Sequence, residues 1–83
     1  MEKKYLVIVH RNDENMNNNI VCNNHQEAEN AHRNWFYIME QQNPNELFGT
    51  FDGRVIPNKD RSNFITSVEL AEITTISLLK REE

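Results

Sequence analysis

A short apolar run near the start of the chain is the first pattern that predicts structure. Residues Tyr5 to Arg11 (YLVIVHR) are rich in β-branched side chains and have the length of one strand. Neighbouring positions of a strand face opposite ways, so apolar side chains point to both sides as far as Val9. This pattern is typical of an interior strand, or of a strand whose second face is covered by a partner.

A loop and a shorter strand follow this run. Asn12 to Asn18 (NDENMNN) has the composition of a loop, and Asn19 to Cys22 (NIVC) is typical of a short returning strand. We expect the two strands to pair as a hairpin.

An amphipathic helix over about residues 25–42 has the clearest pattern in the chain. Asn24 can cap its first turn, and Glu27 lies three residues later, as in a capping box. The Asn43–Pro44 pair ends the helix, because the residue before a proline disfavours the helical region. Positions at helical spacing predict one apolar stripe, which comprises Ala28, Ala31, Trp35, Ile38 and Met39.

A second hairpin is predicted after the helix. Its arms are Leu47 to Phe51 and Arg54 to Ile56, joined by a two-residue turn at Asp52–Gly53, where both positions can take positive φ. Pro57 limits the pairing of the second arm and favours a strand end or a sheet edge.

The segment from Phe64 to Lys80 is ambiguous. Ile73 to Leu79 (ITTISLL) is rich in β-branched residues and predicts a strand. Ser67 to Glu72 (SVELAE) either extends that strand or forms a short helical turn capped by Ser67, and we favour a bend or short turn before the strand. The predicted order is β-β-α-β-β-β, an α+β fold in which one small antiparallel sheet carries the helix on one face.

The 83 residues are expected to form a single domain, 1–83, with one core layer between sheet and helix. The apolar share of 37% is low for a globular chain, where about 45–50% is usual. Small cores often gain stability from a partner surface, and a homodimer is the simplest case.

The charge balance argues against nucleic acid as a partner. The net charge is −4, from 13 acidic and 9 basic residues, and the only basic pairs are Lys3–Lys4 and Lys80–Arg81. Nucleic-acid-binding proteins usually carry a basic surface, so a nucleic-acid-binding regulator remains only as an alternative.

A single cysteine, Cys22, predicts a reducing compartment, since small secreted domains usually carry several disulfides. The first apolar run is too short for a signal-peptide core or a membrane span, so we expect the cytoplasm. Asparagine makes up 13 of the 83 residues, an excess typical of an AT-rich genome such as that of a low-GC bacterium or its phages.

Cys22 and His25 have the spacing of half a metal site, and the hairpin could bring His10 close to them. A metal- or thiol-dependent site there is an alternative function, with His25 or His32 as the base for a Cys22 nucleophile. The simpler interpretation is a buried cysteine and an exposed histidine. We therefore predict no metal site, cofactor or catalytic residue.

Three consecutive aromatic residues, Trp35 to Tyr37, cannot all face one side of a helix. Trp35 belongs to the apolar stripe, Phe36 lies at its edge beside His32, and Tyr37 points almost opposite to Trp35. Tyrosine is enriched at protein interfaces. Tyr37, with Arg33 and Phe36, is therefore the best candidate contact surface. The leading hypothesis is a non-enzymatic interaction protein that binds a protein partner or itself through the helix and a sheet edge.

Overall fold

The computed structural model describes residues 3–74 and confirms the α+β class and the predicted order of elements. Two short 3₁₀ helices, Glu14–Met16 and Asn58–Asp60, lie in the connections. The main elements, in chain order, are β1 (Lys3–Arg11), β2 (Asn18–Cys22), α1 (His25–Glu40), β3 (Leu47–Gly49), β4 (Val55–Pro57) and β5 (Ile65–Thr74). No helix within residues 3–74 is long and apolar enough to cross a membrane.

The strands form two antiparallel sheets, whereas a single sheet was expected. The larger sheet has the order β2-β1-β5, and the smaller contains only β3 and β4. Val7 at the middle of β1 lies opposite Ile20 of β2 and Leu70 of β5. The predicted first hairpin and the interior position of β1 are therefore confirmed.

The core lies between one face of the larger sheet and α1. Val7, Cys22 and Ala28 are buried together in it. Ala28 is fully buried, and its small side chain lets the helix approach the sheet closely. Partly buried side chains surround this cluster, namely Tyr5, Ile20, Ala31, Val68 and Leu70.

The helix begins where the capping pattern predicts. The Asn24 side chain accepts a hydrogen bond from the Glu27 backbone N–H at 2.9 Å, and Glu27 Oε2 in turn accepts from the Asn23 N–H at 3.3 Å. The helix ends at Glu40, slightly before the predicted residue 42. Ile38 is exposed rather than buried, because at 3.6 residues per turn it lies at the margin of the helix face that is centred on the buried Ala28.

The preferred interpretation of Ser67 to Glu72 as a bend or short turn is wrong, because β5 runs without interruption through it. Pairing with β1 along its length outweighs the helix-forming residues of this segment, and a β-bulge absorbs one register shift between His10 and Arg11. Of the predicted strand Ile73 to Leu79, the first two residues belong to β5, and residues 75–79 lie outside the described part.

The second hairpin has a three-residue loop in place of the predicted two-residue turn. The Thr50 N–H donates to the Arg54 carbonyl, and the Gly53 N–H donates to the Thr50 carbonyl. Only Gly53 has a positive φ, of 87°, so Asp52 keeps an ordinary backbone conformation. Pro57 is the last residue of β4, as its missing N–H predicts.

Gln42 joins the end of the helix to the start of β5. Its side-chain nitrogen donates to the Ile65 carbonyl at 2.9 Å, and its side-chain oxygen accepts from the Ile65 N–H at 2.9 Å. Ile65 is buried, so both backbone groups would otherwise lose their hydrogen bonds away from water. The Gln42 amide thus pairs with Ile65 as a neighbouring strand would.

Replacing Gln42 with methionine keeps the length of the side chain and removes this amide. We expect the free energy of unfolding to fall by about 2–3 kcal/mol, because two buried backbone groups lose their partners. Urea denaturation measures the difference. The neighbouring Gln41→Met variant is the control and should change stability by less than about 0.5 kcal/mol. Equal losses in the two variants would contradict the role of Gln42.

The Asp52 carboxylate makes the stability of the second hairpin depend on pH. The carboxylate accepts a hydrogen bond from the Thr50 hydroxyl and a weaker one from the Arg54 N–H, which together hold its pKa below the usual 3.8. A lowered pKa in the folded state means that the contact stabilises the hairpin above the unfolded pKa. The contribution is lost as the pH falls through the folded pKa.

An NMR titration of the Asp52 carboxyl carbon tests this dependence. We expect the Thr50→Val variant to raise the titration midpoint towards the usual value, because it removes the larger cause of the shift. Ser62→Ala is the control and should leave the midpoint where it is in the wild type. A midpoint that stays low in Thr50→Val would rule out the hydroxyl as its cause.

Candidate functional site

A shallow surface groove lies between α1 and β5. Its volume is about 400 Å³, and Phe36, Tyr37 and Arg33 all line it on the helix side. Leu70 contributes the apolar side chain from β5. The structure thus brings the three predicted contact residues to one surface.

The helix presents these side chains because they lie within two turns on the side of α1 that faces the edge of the sheet. Phe36 is 40% exposed and Tyr37 is 62% exposed, which is high for large aromatic side chains. The Phe36 ring stacks on the His32 ring with their centroids 5.9 Å apart, as the predicted neighbourhood of these two residues implies. The two aromatic side chains therefore form an accessible apolar surface next to Leu70.

His32 holds this side of the helix against the sheet. Its Nε2 lies 3.1 Å from the Val68 carbonyl oxygen of β5, within hydrogen-bond distance. Together with the Gln42 amide at Ile65, this contact ties α1 to β5 at two points. The walls of the groove are thus positioned by hydrogen bonds as well as by packing.

Charged groups surround the aromatic part of the groove. Arg33 is exposed and has no ion pair with any residue from 3 to 74. Its guanidinium can therefore donate hydrogen bonds to the carboxylate of a bound partner. Glu29 is engaged with His25, at 3.2 Å from Nδ1, and Glu40 lies at the far end of the groove. The arrangement suits binding of a segment in which an apolar side chain lies close to an acidic one.

The strand register separates the candidate metal ligands. Cys22 lies opposite Tyr5, at the far end of β1 from His10, because the end of the second strand of a hairpin meets the start of the first. His10 also faces the side of the sheet away from α1, whereas Cys22 is buried beneath the helix. The expectation that the hairpin could bring His10 close to Cys22 is therefore wrong.

His25 lies on the surface of the first helical turn. Its ring packs edge-on against Tyr5, with centroids 5.4 Å apart, and its Nδ1 pairs with Glu29. Residues 3–74 contain no group of three side chains placed to hold a metal ion. Cys22 itself packs as a small apolar side chain in the core cluster.

A second surface depression, of about 450 Å³, lies beside the second hairpin and is lined in part by Met16, Phe51 and Arg61. Phe51 is fully exposed at the hairpin loop. Arg61 lies over the Phe48 ring at 4.2 Å, which leaves this site without an accessible cation of the kind that Arg33 offers.

Sequence patterns could not have placed Leu70 in the site. The helical wheel indicates which side chains share the face of Tyr37, but it does not indicate which strand passes beside that face. The alternation of Val68 and Leu70 in SVEL is a signal for a half-buried strand, and helix-forming neighbours obscure it.

Comparison with protein-family models, curated proteins and solved structures finds no match to this chain, so its function is inferred from its own geometry.

Proposed function

We propose that the protein is a non-enzymatic interaction protein that binds a partner protein in the groove between α1 and β5. The observation that supports this most is the pair of exposed aromatic side chains, Phe36 and Tyr37, next to Leu70 and the guanidinium of Arg33, which forms no ion pair with the residues that the structure describes. Aromatic residues and arginine are enriched where binding energy concentrates in protein interfaces.

The partner segment is expected to be extended. β5 is an edge strand in the sheet of the described residues, and an edge strand offers unpaired backbone groups to an added strand. Gln42 and His32 already occupy backbone groups at Ile65 and Val68. The part of β5 beyond Val68, which runs past the groove, is therefore where a strand would add.

Side chains of that segment would supply specificity. Alternate side chains of an added strand point to the helix side of the sheet. There, an aliphatic or aromatic side chain would fill the space between Phe36, Tyr37 and Leu70, and a carboxylate would pair with Arg33.

We propose the cytoplasm as the site of action. The single cysteine is buried in the core rather than placed for a disulfide, and a reducing compartment keeps such a thiol intact. The organism remains an expectation from composition alone, a low-GC bacterium or phage.

Affinity capture with groove variants tests the proposed function. The wild-type protein is immobilised, and proteins retained from a lysate of the source organism are compared with those retained by a Phe36→Ser/Tyr37→Ser double variant and by Arg33→Glu. We expect a specific protein retained by the wild type to be lost, by at least about tenfold, in both groove variants.

Phe51→Ser is the matched control, because it also removes a fully exposed aromatic ring but lies at the second hairpin. It should retain the same protein as the wild type, and circular dichroism should show that all variants are folded. Capture that is unchanged by the groove variants, or no specific capture by the wild type, would count against the proposal.

A further inference from the structure

The face of the larger sheet opposite α1 is apolar and uncovered by that helix. Leu6 and Ile8 of the central strand point to this face, since they alternate with the buried Val7 and Val9. Register places Val21 and Ala71 on either side of Leu6 and Ile73 opposite Lys4, whereas Ile8 lies between Asn19 and Glu69. Val21 is 62% exposed, and the other apolar residues of the patch are partly exposed, so the described residues do not fully cover it.

Strand β1 has the composition of a strand that is buried on both faces. An open face would normally carry polar side chains, but within the run from Tyr5 to Val9 the positions on this face, Leu6 and Ile8, are both apolar. Contiguous apolar patches of this kind mark contact surfaces in proteins. We therefore expect this face to contact another apolar surface of similar size.

The charges at the rim of the patch indicate which occupant fits. Lys4 lies at one end of this face, opposite Ile73, and His10 lies at the other end of β1. His10 is paired there with Glu69, with 2.9 Å between Nε2 and Oε1. The face thus has a basic end, an apolar middle and an end that carries a carboxylate.

We propose that a second copy of the chain covers this face. A two-fold axis parallel to the sheet and perpendicular to its strands would place the Lys4 end of one copy over the His10–Glu69 end of the other. The apolar middle would then contact itself, with the two sheets at about the 10 Å spacing of stacked sheets. The same surface serves on both copies, as a two-fold interface requires.

The size of the face determines how tight this dimer is. Three strands and four rows of side chains cover roughly 14 Å by 20 Å at ordinary strand spacings. That area is well below the roughly 800 Å² per partner of a standard stable interface. The dimer is therefore weak, with a dissociation constant in about the micromolar to millimolar range.

The proposed dimer has a consequence for the groove. Stacking the open faces gives the layer order helix, sheet, sheet, helix, which leaves α1 of each copy on the outside. The two grooves then remain accessible on opposite sides, and a partner with two binding segments would gain avidity. The inference goes beyond the proposed function, because it concerns the opposite side of the sheet.

Sedimentation equilibrium of the full chain, over concentrations from about 10 µM to 1 mM, tests the dimer. We expect reversible dimerisation in the wild type. Val21→Glu places a charge in the apolar patch at an exposed site of an edge strand, and should weaken dimerisation by at least about tenfold. The Phe36→Ser/Tyr37→Ser variant is the control and should dimerise like the wild type.

Charge reversal tests the orientation of the two copies. Lys4→Glu and Glu69→Lys should each weaken dimerisation, because like charges would meet at both ends of the interface. The double variant Lys4→Glu/Glu69→Lys should restore it. Circular dichroism confirms that each variant is folded.

Three outcomes would overturn the inference. A monomer at every concentration would exclude a second copy as the occupant, and a loss of stability in monomeric Val21→Glu would show that the chain covers the face itself. A dimer that is lost in the groove variant but kept in Val21→Glu would place the contact at the groove. The first two results concern the opposite face alone and do not change the capture experiment on which the proposed function depends.

Discussion

The one-sided burial of the central strand is the constraint on which the other features of the structure depend. Val7 packs with Ala28 and Cys22 beneath the helix, and the hydrogen bonds of β1 are divided between β2 and β5. With one helix and three strands, only one face of the sheet acquires a core. The position of α1 on that face determines where the groove lies, and no other described element packs on the opposite face of β1.

Polar contacts then define the side of the helix that meets β5. The Gln42 amide satisfies both backbone groups of Ile65, and His32 reaches the Val68 carbonyl. These side chains take up part of the edge of β5 and hold the aromatic side of α1 beside Leu70. The two proposed contact surfaces therefore lie on opposite sides of the sheet, where each can be changed without the other.

Local geometry was sufficient to group the candidate contact residues, whose role in binding stays a prediction. Arg33, Phe36 and Tyr37 line one accessible surface, because side-chain direction on a helix follows from position in the chain. The helical repeat could not identify Leu70, which lies far along the chain. The spacing of Cys22 and His25 was equally local, but a metal site needs further ligands, and the strand register places His10 on the other face.

The sequence by itself determined the helix with its Asn24 cap, the first hairpin and the apolar character of both faces of β1, because each depends on residues close together in the chain. Tertiary structure decided that Ser67 to Glu72 is a strand, that β3 and β4 form a separate sheet, and that Leu70 lies beside Phe36. These outcomes depend on pairing between distant segments, such as β1 with β5. Such pairing can outweigh local helix preference, and no short window of sequence contains both partners.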